Sequence, residues 1–253
     1  MDIIKAIASE LNVRNGQVEA AVKLIDEGCT IPFISRYRKE ATGALNDEQL
    51  RNLDERLRYL RNLEDKKAQV IASIDEQGLL TEELKSRIEQ AETMVAVEDL
   101  YRPYRPKRRT RATIAKEKGL EPLANVMLLQ MTKEPLLKTA EAYVSGEKGV
   151  NTPEEAVAGA MDIIAESISD NADYRTGIRE ITFKEGILSS SAKDAEAKTV
   201  YEMYYNFTEP VAKMAGHRVL AVNRGENEKI LTVKIEAPED KILSFSQIGR
   251  AHV

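Results

Sequence analysis

A mainly α-helical, multi-helical fold with a long central helix and a β-hairpin near the C-terminus is what this sequence predicts. Three observations carry that expectation. Apolar residues recur at three- and four-residue spacing from Ile3 to Tyr205. Aromatics are 5% of the residues and tryptophan is absent, so Leu, Ile, Val and Ala must fill the core, as is usual in helical proteins. Partly alternating β-branched runs occur only after Pro210, at 219–222 and 230–235.

Ile3, Ile4, Ile7, Ala8 and Leu11 share one helical face, and Asn15-Gly16 marks the turn that follows. Val18, Ala21, Val22 and Ile25 form a second face that Gly28 stops. Residues 31–37 predict a third short helix, with Pro32 in its first turn, where a missing N–H costs least. Residues 1–45 therefore outline a helix-turn-helix-like bundle. Residues 46–77 predict the longest element, about 45 Å at about 1.5 Å per residue. Asn46 can cap it, with Gln49 three residues on. Leu50, Leu53, Leu57 and Leu60 keep heptad spacing, but Glu64 and Lys67 then stand at seam positions. Leu63, Val70, Ile71 and Ile74 carry a broader stripe, so this helix is expected to pack within its own chain rather than in a coiled coil.

Gly78 ends the long helix, and Thr81 caps a short one containing Leu84 and Ile88. Beyond the segment 98–119, residues 135–144 predict a helix. Thr152-Pro153-Glu154-Glu155 is a strong start signal for another, running towards Ser169. Residues 173–184 predict one more, and Ser189 to Ser191 read as the cap of a helix reaching Tyr205. The β-hairpin is expected over 217–237, with a loop at 223–228. Two regions are expected: a helical one over 1–190 and a second over 191–246.

The net charge is −5, which excludes a uniformly basic nucleic-acid coat and requires any such binding to come from a local patch. The lone Cys29 can form neither an internal disulfide nor a thiolate metal cage, which fits a reducing, cytoplasmic setting. The first residues lack the layout of a signal peptide, and no apolar run is long enough to span a membrane.

One patch stands out. Residues 99–111 read Asp-Leu-Tyr-Arg-Pro-Tyr-Arg-Pro-Lys-Arg-Arg-Thr-Arg, and no acid falls between Asp99 and Glu117. Pro103 and Pro106 bias the chain towards extended geometry. Arg102, Arg105, Lys107, Arg108, Arg109 and Arg111 match phosphate oxygens in charge, and Tyr104 offers a face on which a base can stack. Arg36, Arg38 and Lys39 form a smaller basic cluster beside Gly43. The competing reading of both clusters is solvated surface whose cations pair with neighbouring carboxylates. Chemistry is hard to find elsewhere. His217 and His252 are the only histidines, and no metal-binding or phosphate-cradling motif occurs. The chain is therefore expected to be no enzyme, with no cofactor, no metal and no small-molecule substrate.

Ile-Pro-Phe-Ile-Ser-Arg-Tyr-Arg-Lys-Glu at 31–40, Thr42-Gly43, Leu-Arg-Tyr-Leu at 57–60, the string at 98–113, Lys-Gly-Leu-Glu-Pro-Leu at 118–123 and His-Arg-Val-Leu-Ala-Val-Asn-Arg-Gly-Glu at 217–226 form one further pattern. Together these segments resemble the bacterial Tex family of transcription accessory proteins. Ala215-Gly216 stands where that family often has Pro-Ser. The resemblance covers residues 1–245. It implies a helical N-terminal region over 1–190, the start of a central region over 191–246, cytoplasmic location, and nucleic acid as partner, RNA before DNA, together with the transcription machinery. The RNase H-like domain and the OB-type barrel of that family have no match here, so no nuclease activity is implied. The rival expectation is a protein-interaction scaffold. Residues 247–253 back-translate as CAG ATC GGA AGA GCA CAC GTC, which resembles a sequencing-library adapter. They are expected to be a non-native tail, with the natural protein continuing.

Overall fold

The structure is a computed structural model that describes residues 2–131 and 133–249, with the side chains of 247–249 outside the description. It is mainly α-helical, with a small three-stranded antiparallel sheet towards the C-terminus. The chain divides after Arg105 into two compact units.

The first unit is built on one helix. Helices α1 (Ile3–Leu11), α2 (Asn15–Asp26), α3 (Ile31–Tyr37) and α6 (Met94–Tyr101) all pack on α4 (Asp47–Glu76), as does α5 (Glu82–Gln90). The start of α4 is fixed locally. The Asn46 side chain accepts from the Gln49 N–H at 2.8 Å, and the Gln49 side chain accepts from the Asn46 N–H at 3.0 Å. Its buried face runs Leu50, Leu53, Leu57, Leu60, Leu63, Lys67, Val70 and Ile74. Lys67 lies inside this seam, its Nζ donating to Glu64 Oε1 and to the Glu89 carbonyl, each at 2.8 Å.

Two bidentate arginines tie α1 and α2 to α4: Arg56 holds Glu10 at 2.6 and 2.7 Å, and Arg61 holds Asp26 at 2.7 and 2.8 Å. The hydrogen bonds from Arg61 hold the Asp26 carboxyl below its usual range. The Asp26–Arg61 pair thus contributes stability in full above the ordinary carboxylate value of 3.8 and loses it as pH falls through the depressed folded value. Asp26→Asn is expected to cost about 0.2–1 kcal/mol at neutral pH, because the pair is half-exposed. As pH falls through that folded value, the urea midpoints of the two proteins should converge. A difference that persists in acid would remove the ion pair as its cause.

In the second unit, α7 (Arg111–Glu117), α8 (Glu121–Leu129) and α9 (Leu136–Glu141) turn their apolar faces to α10 (Pro153–Asp170). Ala112, Ala115, Leu120, Leu123, Ala156 and Ala160 lie at the centre of this core. Small residues let the helices approach closely; a Cβ on Gly159 would lie 2.4 Å from Leu120 Cδ1. Thr152 caps α10 through the Glu155 N–H at 3.2 Å. After α11 (Ala172–Glu185) comes the sheet of β1 (Ile187–Ala192), β2 (Asn206–Pro210) and β3 (Leu231–Glu236), with β1 in the middle. α12 (Gly216–Asn227) separates β2 from β3, and α13 (Glu239–Gly249) packs on α11.

The hairpin expected over 217–237 does not form. Residues 219–222 lie in α12, and β3 pairs with β1, with Ser189 opposite Lys234. A run of four apolar residues suits either period. In the fold Val222 and Gly225, three apart, are the buried positions of α12, which is helical spacing. Gly225 also lets the helix lie against β3, since a Cβ there would come within 2.6 Å of Leu231 Cδ1. The serines at 189–191 belong to strand β1 rather than to a helix cap, with Leu188 and Ser190 turned inward. The Ser190 hydroxyl donates to the Tyr204 carbonyl at 2.7 Å, which satisfies a buried polar group. After the break at Arg105, α7–α9 form one core with α10.

Candidate nucleic-acid interface

The break between the two units falls inside the basic string, and each half belongs to its own unit. In the first unit, α6 ends at Tyr101, whose hydroxyl hydrogen-bonds Ser73 Oγ at 2.9 Å. Arg102–Tyr104 make one tight helical turn, closed by the Arg105 N–H on the Tyr101 carbonyl at 3.0 Å. Arg102 and Arg105 are exposed, and Tyr104 is half-buried. Arg105 makes no ion pair among the described residues.

In the second unit the string lies along α10. Asp162, Glu166 and Asp170 stand four residues apart on that helix, hence on one face. The Lys107 ammonium is clamped by Asp170 and lies 3.6 Å from Glu166. The Thr110 hydroxyl donates to Glu166 at 2.9 Å while its oxygen caps α7 through the Thr113 N–H at 3.1 Å. Arg111 Nε stands 3.8 Å from Asp162. The Asp170 side chain is 10% exposed and that of Lys107 29%, so this pair is far drier than its neighbours. Arg109 pairs with Glu117 at 2.6 Å in the open, and Arg111 is almost fully exposed. Arg108 is exposed and makes no ion pair among the described residues. Lys107 is thus an anchor in this geometry, while Arg108, Arg109 and Arg111 face solvent loosely held or unpaired.

Arg36, Arg38 and Lys39 are all exposed at the end of α3 in the first unit. Sequence reading missed what stands beside them. Phe33 and Tyr37, four residues apart on α3, are 38% and 67% exposed, with ring centroids 5.4 Å apart. The Arg38 guanidinium lies over the Phe33 ring at 5.4 Å. The available signal was an aromatic pair at helical spacing interleaved with cations. Among the described residues no cluster of three His, Cys, Asp or Glu is set to hold a metal, and no helix is long and apolar enough to cross a membrane.

Residues 1–75 match the model for the Tex-like protein N-terminal domain, and residues 131–251 match the model described as Tex central region-like. The protein YdcI of Bacillus subtilis is 50% identical over 94% of this chain and 34% of its own length. The transcriptional accessory protein Tex of Neisseria gonorrhoeae is 42% identical over 95% of this chain and 32% of its own. The human S1 RNA-binding domain-containing protein 1 is 29% identical over 92% and 24%. The chain spans about a third of the length of the bacterial relatives it matches.

Proposed function

We propose, on the premise that the chain belongs to the Tex family by its N-terminal and central regions, that it is a non-catalytic scaffold holding nucleic acid by its phosphates. The observation that carries this reading is the state of the cations at 105–111. Arg105 and Arg108 are exposed without an ion pair among the described residues, and Arg109 and Arg111 are held only by exposed or distant carboxylates. A phosphate displaces such surface pairs at little cost. RNA is the preferred partner in this reading, supported by the RNA-binding name of the human relative. Work beside the transcription machinery is supported by the names of the Tex relatives. The proposed setting is the cytoplasm, with no cofactor and no small-molecule substrate. A second reading, protein docking, is favoured by the exposed Leu129, Met131 and Leu137 around α8 and α9.

The test is binding of fluorescent single- and double-stranded RNA and DNA across a salt series. The variant replacing Arg105, Arg108, Arg109 and Arg111 with serine should lose affinity, with a slope of log K against log salt shallower by about three (about 0.7–0.9 per phosphate contact). Lys107→Gln should leave that slope unchanged. Equal slopes for the fourfold variant and the parent would sink the phosphate reading.

A further inference from the structure

We infer that α3 carries a stacking platform for the unpaired bases of a single-stranded nucleic acid, formed by Phe33 and Tyr37 and flanked by Arg36, Arg38 and Lys39. The inference rests on the nucleic-acid reading above and extends it to a separate surface and a narrower ligand. Large aromatic rings are normally drawn inward by the hydrophobic effect. On α3, which packs on α4, the only buried residue is Ile34, while Tyr37 is 67% exposed and Phe33, at 38%, keeps part of its ring in water. Two rings 5.4 Å apart, inclined at 45°, form a ledge rather than a filled core. Each base has a π-face, so exposed rings beside cations bind single strands with little regard to sequence. Arg38 over Phe33 extends the ledge with a planar cation that itself stacks on bases.

The surroundings hold this surface still. α3 ends where the chain folds back on itself: the Thr42 N–H donates to the Arg38 carbonyl at 3.1 Å, and the Ala44 N–H to the Lys39 carbonyl at 2.7 Å. Thr42 is fully buried, its hydroxyl donating towards the Arg38 and Lys39 carbonyls at 3.3 Å each. Gln17 of α2 pins the next residue through the Gly43 carbonyl at 2.8 Å. Gly43 has φ +62, and a Cβ there would meet the Gln17 side chain at 3.0 Å, so glycine is the residue that permits this closure. The carbonyls that end α3 are satisfied internally, and the cations around them stay available. Arg36 and Lys39 make no ion pair among the described residues, while Glu40 is the one acid in the 31–40 segment. Three cations against one acid complement a phosphate backbone passing the rings.

The experiment compares three probes: a fluorescent single-stranded oligonucleotide, the same backbone with abasic sites, and a duplex. Tyr37→Ala should weaken the base-bearing strand about tenfold, the loss of one stacked base. It should leave the salt slope and the abasic strand unchanged, since no phosphate contact is lost. Tyr37→Phe should restore the affinity, and Arg36→Ser with Lys39→Ser should flatten the slope by about 1.5. Tyr37 lies outside the core, and matched urea midpoints confirm that the variants fold. The inference is overturned if Tyr37→Ala binds the base-bearing strand as the parent does, including where the face serves a protein partner instead. If that happens while the fourfold arginine variant still loses binding, the phosphate reading survives alone. If the parent binds none of the probes, both readings fall.

Discussion

Replacing Ile34 with alanine is expected to lower the stability of the first unit by about 2–5 kcal/mol, the range for truncating a fully buried aliphatic side chain. Ile34 has no exposed surface and is the only buried residue of α3. A seven-residue helix cannot persist in water by itself, so its apolar anchor must hold it. The loss combines the transfer energy of the deleted methyl groups with the space left between α3 and α4. Urea unfolding followed by far-ultraviolet circular dichroism measures it. The consequence for binding is larger than for a surface change, because Phe33, Tyr37, Arg36 and Arg38 all ride on α3. Single-strand affinity should fall with stability. A loss below about 1 kcal/mol would mean that α3 is held by the Thr42–Gln17 region instead.

Lys67→Ala should cost the same unit about 2–4 kcal/mol, and Lys67→Met about 1–2 kcal/mol, because both lose the ammonium and only alanine also loses the stem. Lys67 is 3% exposed, and its ammonium serves Glu64 and the Glu89 carbonyl. Removing one partner of a buried pair costs about 3–5 kcal/mol when the remaining charge is sealed in. Glu64 is a third exposed, so water recovers part of that cost. Alanine also leaves the space of the four-carbon stem in the α4 seam. Methionine fills that space with a flexible apolar chain but leaves Glu64 and the Glu89 carbonyl without the ammonium, as alanine does, so the difference between the two variants reads the stem. Paired urea curves decide the matter. Equal losses for both variants would show that the charge, not the stem, is what the seam requires.

The long helix and most of the others were legible because their signals are local. Asn46 with Gln49, and Thr152 with Pro153 and Glu155, act within one turn of the backbone they cap. The sheet was not legible in the same way. β1 meets β3 across more than thirty residues, with Ser191 opposite Thr232, and nothing in a string of serines announces that pairing. The 219–222 run is too short for its period to be read, and the helix was settled by Gly225 lying against Leu231. The basic string was visible from charge alone, but the state of each cation was not. Lys107 differs from Arg108 through Asp170, 63 residues away, with Glu166 beside it. Phe33 and Tyr37 went unnoticed because spacing of four on a helix usually marks a core face, and only the fold shows that Ile34 takes that role.

The small sheet also governs how this chain behaves in company. Among the described residues β2 and β3 are the edges of the sheet, and an uncovered strand edge is a template on which another chain can pair its backbone. Each edge carries its own deterrent. β2 finishes in Glu209 and Pro210, the latter with no N–H to offer, and β3 carries Lys234 and Glu236 among its β-branched residues. A newcomer strand would have to bury those charges and forgo a ladder bond. The sequence around the sheet thereby includes gatekeepers against fibril-like growth, a colloidal property written into the same residues that close the fold.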